Sequence, residues 1–210
     1  MTGRVKMVGH PFDVAEKHTM PMLSVIISTN GHEPPVVATL AALVPGVTAG
    51  LIRDVLLVDR AGTDTIARVA DVAGCSYLVC KGARAEALTL GARQARAAWL
   101  MFLHAGTVPD LSWIDETAQF IDRVSSEATP RAAILRYSRS PYADRSWKAR
   151  IADALRTLSG PLPEQGLVIA REHFDALGGY PAGHRDAERA LLRKLGSARL
   201  VLRSRIMVPG

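Results

Sequence analysis

Apolar residues never run together for long in this chain. They make up 48% of it, yet no stretch approaches the roughly 20 residues needed to cross a bilayer. They are there to build a core. Cysteine is scarce: Cys75 and Cys80 are the only two. A zinc site takes four ligands, and no second Cys/His pair is spaced to complete one. The expectation is two buried thiols flanking or occupying a strand, unbridged in a reducing compartment. Aromatic residues are only 5% of the chain and do not interleave with basic ones. That argues against stacking platforms for nucleic-acid bases, and no nucleic-acid partner is expected.

Basic residues exceed acidic ones, 26 to 20, for a net charge of +6. Such a surface suits a phosphorylated ligand or an anionic membrane. Residues 1–20 are polar, mixed in charge and without the apolar stretch of a signal peptide. They are read as a short extension ahead of one domain over 21–210, in a cytoplasmic protein. The segment Tyr142 to Leu158 carries Trp147, Ile151, Leu155 and Leu158 at helical spacing beside Arg145, Lys148 and Arg150. This stripe has two readings, core packing or a peripheral membrane contact.

The first half alternates strand and helix. LSVII (Leu23 to Ile27), DVLLV (Asp54 to Val58), SYLVC (Ser76 to Cys80) and WLMFL (Trp99 to Leu103) are short, continuously apolar runs. Helices are expected over Val36 to Leu43, Thr65 to Ala73 and Ala83 to Ala97, the second capped by Thr63 or Asp64. Strands without alternating polarity, separated by helices, predict a mostly parallel α/β sheet covered on both faces. Ligands bind such sheets at the carboxyl ends of the strands. The loops at Ser28 to His32, Asp59 to Asp64, Lys81 to Arg84 and His104 to Thr107 are therefore the candidate site. In the second half, helices are expected over Asp110 to Val124, Arg171 to Leu177 and Asp186 to Leu195. Strands are expected over Ala132 to Tyr137, Leu167 to Ala170 and Arg199 to Val208.

Five segments, in order, resemble the family 2 glycosyltransferases of GT-A fold. LSVIISTNGHE is similar to that family's first strand and loop. LLVDRAGTDT resembles its Val-Asp-x-x-Ser-Thr-Asp loop. LMFLHAGTVP matches the strand and D-x-D loop. EQGLVIAREHFDALGGYP resembles the acceptor-side loop and the Phe-x-x-x-Gly-Gly-Phe segment. RDAERALLRKLG is similar to the Glu-Asp-x-x-Leu helix. The nearest likeness is the small branch with Leu-His-Ala-Asp-Thr and Gly-Asp-Gln loops. The resemblance spans about Leu23 to Val208. It implies a single Rossmann-like domain that binds a nucleoside diphosphate sugar. It also implies a D-x-D-bound cation on the diphosphate and a downstream carboxylate as base for the acceptor hydroxyl.

The resemblance carries Thr29, Asp59, Arg84, His104 and Gln165 to the nucleotide side. It carries Glu164, Asp186 and Glu188 to the acceptor side as candidate bases. The sequence departs from the family at its metal. The D-x-D position is His104-Ala105-Gly106. Glycine offers no ligand, and imidazole alone is a poor partner for magnesium or manganese, which prefer oxygen. No metal is expected. The Glu-Asp pair falls near His184-Arg185, so Asp186 and Glu188 fit only with a one-residue shift. They read either as bases or as solvated carboxylates at a helix start. His104 reads as a diphosphate contact or a strand-end remnant, Asp59 as a nucleotide contact or a turn cap, and Arg84 as a diphosphate grip or a surface arginine. Two functions remain open: a transferase without metal, or an inactive homologue that senses nucleotide sugar or binds a partner protein.

Overall fold

A computed structural model describes residues 22–127, 129–139, 161–181, 183 and 186–208. The N-terminal extension, the Tyr142 to Leu158 stripe and the pair His184-Arg185 lie outside the described residues.

Strand β1 (Leu23–Thr29) is buried along its whole length. It pairs in parallel with β2 (Ile52–Asp59) on one side and β4 (Trp99–His104) on the other. Strand β3 (Ser76–Val79) adds to the free side of β2, also parallel. Two covered faces explain the continuously apolar runs of β1 and β4; β3, at the sheet edge, is half-buried with Val79 exposed. Leu23, Val25 and Ile27 point into one core with Met101 and Leu103, while Ile26 points into the other with Leu100 and Phe102. The first core is closed by α1 (Glu33–Thr48), α2 (Asp64–Val72) and α4 (Trp113–Ser126). The second is closed by α3 (Arg84–Gln94), α5 (Arg171–Ala176) and α6 (Ala187–Leu195). The described residues thus form one three-layer α/β unit.

The sheet continues beyond β4 and changes direction. β7 (Leu167–Ala170) pairs antiparallel with β4, β6 (Ala132–Arg139) antiparallel with β7, and β8 (Arg199–Val208) parallel with β6. The edge is β5 (Val108–Pro109), antiparallel to β8. The order is β3-β2-β1-β4-β7-β6-β8-β5. The mostly parallel expectation holds, with β7 and β5 reversed. Strand β5 was hidden in the sequence because it is two residues long and ends in proline. The helix expected from Asp110 starts at Trp113 instead. Asp110 turns the chain first: its carboxylate accepts from Ser112 N–H (3.1 Å), Ser112 Oγ (2.7 Å) and Arg205 N–H (2.8 Å).

Helix α1 outruns its expected end at Leu43 and passes through Pro45. Gly46 lies against Trp113, where an added Cβ would be 2.6 Å from the ring, so burial there carries the last turn. Cys75 and Cys80 flank β3 as free thiols, half-buried rather than buried, and burial pushes the Cys75 thiol up. Among the described residues no helix is long and apolar enough to cross a membrane.

Two features seat α3 on the sheet. Gly91 faces β1 and β2 so closely that a Cβ would sit 2.4 Å from Ile26 Cγ2 and 3.1 Å from Val58 Cγ2. At the far end, the Arg171 guanidinium donates to the carbonyls of Ala92 (2.7 Å), Ala95 (2.7 Å) and Ala97 (3.1 and 3.2 Å). A cation there satisfies orphan carbonyls and complements the helix dipole. Helix propensity favours alanine over glycine by about 1 kcal/mol, but overpacking costs about 1–3 kcal/mol. Gly91→Ala is therefore expected to lower the urea midpoint. A raised midpoint would show that α3 can back away from the sheet.

Candidate functional site

The carboxyl ends of β1, β2 and β4 lie in one row. Thr29 is paired with Asp59 and Ser28 with His104. Each strand hands its chain to a loop on the same side of the sheet.

The loop after β2 is built by Asp59. This carboxylate is buried and accepts from Ala61 N–H (3.1 Å), Thr63 N–H (2.7 Å) and Thr63 Oγ (3.0 Å). Thr63 Oγ in turn caps α2 by accepting from Ile66 N–H (3.5 Å). Burial alone would push the Asp59 carboxyl up, but donors from Thr63, Ala61 and Gly31 outweigh it and hold it below its ordinary 3.8. The turn-cap reading of Asp59 is the one its bonds describe. Neighbouring Thr29 is buried, and its carbonyl accepts from Arg60 N–H at 3.0 Å.

The loop after β4 is tied to α1 by Thr39, a buried hydroxyl in an otherwise apolar stretch. Thr39 Oγ donates to the Thr107 carbonyl (2.9 Å) and accepts from Gly106 N–H (2.9 Å). Thr107 Oγ donates to the His104 carbonyl at 2.7 Å. Gly106 sits at φ 97°, a left-handed conformation that favours glycine.

At the end of β4, His104 lies between Arg84 and Glu188. Arg84, the first residue of α3, bonds His104 Nδ1. Glu188, in the first turn of α6, bonds His104 Nε2 at 2.6 Å. Arg84 Nε is 4.0 Å from Glu188 Oε1. A guanidinium only donates and a carboxylate only accepts, so Nδ1 is the acceptor and Nε2 carries the proton. The side chains of His104 and Glu188 are 11% and 17% exposed, that of Arg84 38%. Arg84 is thus the outermost of the three. Behind them Phe102, Phe174 and Tyr180 form an aromatic cluster with centroids 5.1–5.4 Å apart. Burial first, and the Glu188 charge second, push the Tyr180 phenol well up.

Of the eight residues singled out from the sequence, the structure joins Arg84, His104 and Glu188 in one array. Glu188 is not the solvated helix-start carboxylate that its shifted register favoured. Asp186 is exposed at the N-terminal boundary of α6 and makes no capping bond with its side chain. Glu164 is half-buried in the single 3-10 turn Pro163–Gln165. The Gln165 amide bonds the backbone of its own fold. Its Oε1 accepts from Leu162 N–H (2.7 Å) and its Nε2 donates to the Leu135 carbonyl (2.9 Å). It clamps the Pro163–Gln165 turn to β6 and is nearly buried. Thr39 was missed, and the only signal for it was a polar residue interrupting an apolar helix.

The donors present do not fit a divalent cation. Gly106 has no side chain, both His104 nitrogens are engaged, and a guanidinium adjoins the imidazole. Among the described residues no three His, Cys, Asp or Glu side chains are placed to hold a metal.

The fold is that of the GT-A glycosyltransferases. Solved structures with this fold include S. aureus TarS 1-349 in complex with UDP, at TM-score 0.65 and 13% identity, covering 89% of this chain and 60% of that one. Another is M. tuberculosis glucosyl-3-phosphoglycerate synthase in complex with Mn2+, UDP and glucosyl-3-phosphoglycerate, at TM-score 0.63 and 16% identity, covering 90% and 71%. The chain thus spans 60% of the TarS fragment. No protein-family model matches the sequence, and no curated protein matches it by sequence.

The depressed Asp59 carboxyl sets a pH dependence. Its folded value lies below its unfolded one, so its stabilisation is complete above 3.8 and is lost as pH falls below that. Asp59→Asn is expected to cost about 1–3 kcal/mol at neutral pH. The gap from wild type should narrow in denaturation series run below 3.8. An unchanged gap down to acid pH would contradict the role given to this carboxylate. Gln165→Leu leaves Leu162 N–H and the Leu135 carbonyl without partners. It is expected to lower stability by about 1–3 kcal/mol, read from the same urea series, and a neutral result would remove the clamp.

Proposed function

We propose that this chain takes a nucleoside diphosphate sugar at the carboxyl ends of β1, β2 and β4 and transfers the sugar without a bound divalent cation. The observation that carries this reading is Arg84. Its guanidinium lies against His104, the residue at the first D-x-D position, where the family resemblance puts a cation. A leaving diphosphate develops negative charge, and a planar, always-charged guanidinium can meet it with paired donors. Arg84 also opens α3, which has no side-chain cap at its start, so backbone N–H groups add to the positive end. The loops around Thr29 and Asp59 are assigned to the nucleoside, with Asp59 shaping the loop. Glu164 and Asp186 remain acceptor-side candidates. UDP in the TarS and synthase complexes supports a uridine nucleotide as the first ligand to try. The synthase complex holds Mn2+ as well, and there the present site departs.

A second reading is a homologue that binds nucleotide sugar, or a partner protein, as a sensor or scaffold. It is favoured by the mutual satisfaction of the Arg84, His104 and Glu188 side chains, which leaves no uncommitted charge among them.

Calorimetric titration with UDP, GDP and dTDP sugars, with manganese or with EDTA, tests the proposal. Affinity for the preferred nucleotide is expected to agree within about threefold in the two media. Arg84→Ala should weaken it by roughly 10–100-fold, the worth of a charge-assisted hydrogen bond of about 1.5–3 kcal/mol. Binding that requires manganese would refute the metal-free reading. Binding with no release of nucleoside diphosphate would favour the sensor.

A further inference from the structure

We infer that the proton acceptor of this site is His104 Nδ1, that Glu188 is its positioning residue, and that Arg84 covers Nδ1 until a diphosphate draws the guanidinium away. The inference rests on the proposed binding of a nucleoside diphosphate sugar. It assigns the base to a residue that the resemblance placed on the diphosphate, and it moves Glu188 from base to support.

The bonding pattern carries it. Glu188 Oε2 accepts from Nε2–H at 2.6 Å, which fixes the ring and its tautomer, as a carboxylate does behind a catalytic imidazole. The remaining lone pair, on Nδ1, faces Arg84. With the guanidinium there, Nδ1 is covered and cannot accept a proton from a ligand. Arg84 is also the most exposed of the three and joins the array through a long flexible stem. Among the described residues, the charged and titratable groups around the ring include Arg84 from α3, Glu188 from α6 and, behind Glu188, the buried Tyr180 phenol. A diphosphate is a stronger partner for a guanidinium than a neutral imidazole. Its arrival would uncover Nδ1 only when the leaving group is in place, so the base is exposed together with the donor.

The step balances. The acceptor hydroxyl oxygen forms a bond to the anomeric carbon as its proton passes to Nδ1. The bond from that carbon to the β-phosphate oxygen breaks, and its electron pair stays on the nucleoside diphosphate, opposite the Arg84 donors. The imidazolium, stabilised by Glu188, then returns the proton to solvent. Water can replace the acceptor hydroxyl, so slow donor hydrolysis reports the same chemistry.

The experiment uses the full chain and two measurements. UDP binding is followed by calorimetry, and UDP, GDP or dTDP release from the corresponding glucose nucleotides by a coupled assay. His104→Ala and His104→Gln are expected still to bind the nucleotide and, at saturating donor, to lose at least about 100-fold in hydrolysis. Added imidazole should restore part of the His104→Ala rate. Glu188→Gln should lower kcat about tenfold or more with KM little changed. In 15N spectra of histidine-labelled protein, His104 should be protonated at Nε2, and UDP should shift its Nδ1 resonance; Glu188→Gln should blur the tautomer. If UDP binds but His104→Ala or His104→Gln hydrolyses the donor as fast as wild type, or wild type hydrolyses none, this inference fails while the binding proposal stands. If no nucleotide binds, the proposal beneath it fails too.

Discussion

The site depends on the in-register pairing of β1 with its two neighbours. Thr29 aligned with Asp59, and Ser28 aligned with His104, bring three loops to one side of the sheet at one height. That register is held because both faces of β1 are buried, so a slip by one residue would exchange the two cores. His104 inherits its position from this pairing. Arg84 and Glu188 inherit theirs from helices anchored elsewhere: α3 through Gly91 and the Arg171 clamp, α6 through Leu191, Leu192 and Leu195 in the second core. The array therefore joins a strand end and two helix starts that are placed independently of each other.

Its chemistry follows from having one group that only donates, one that only accepts and one that does both. A neutral imidazole satisfies a cation and an anion together, and the net charge of the three is close to zero. A site built on two carboxylates has the opposite character, since it repels itself until a cation arrives. The tight turn at Gly106 and its tie to Thr39 belong to the same difference: the loop is closed by its own hydrogen bonds.

Much of this was legible in the sequence. The four apolar runs of the first half are β1 to β4; burial writes itself as continuous hydrophobicity in β1 and β4, while β3, at the edge, is only half-buried. Arg84 and His104 could be placed in the right loops because each lies close to a strand end. Glu188 could not, since its role depends on the rotation of α6 over the sheet, and counting along the chain put it one residue out of register. The bonds of Gln165 were hidden for a related reason. An amide can serve a ligand or its own backbone, and only the position of Leu135 across the fold decides. The two-residue β5 has too few residues to show any pattern.

Gly106 has one more consequence. An aspartate arriving there by mutation would inherit a backbone at φ 97°, a strain of about 1–3 kcal/mol for a residue with a side chain. It would also meet a turn already closed around Thr39 and an imidazole facing a guanidinium. An acid added at this position alone would therefore not make a cation site: the backbone beneath it and the hydrogen bonds around it hold the loop as it is.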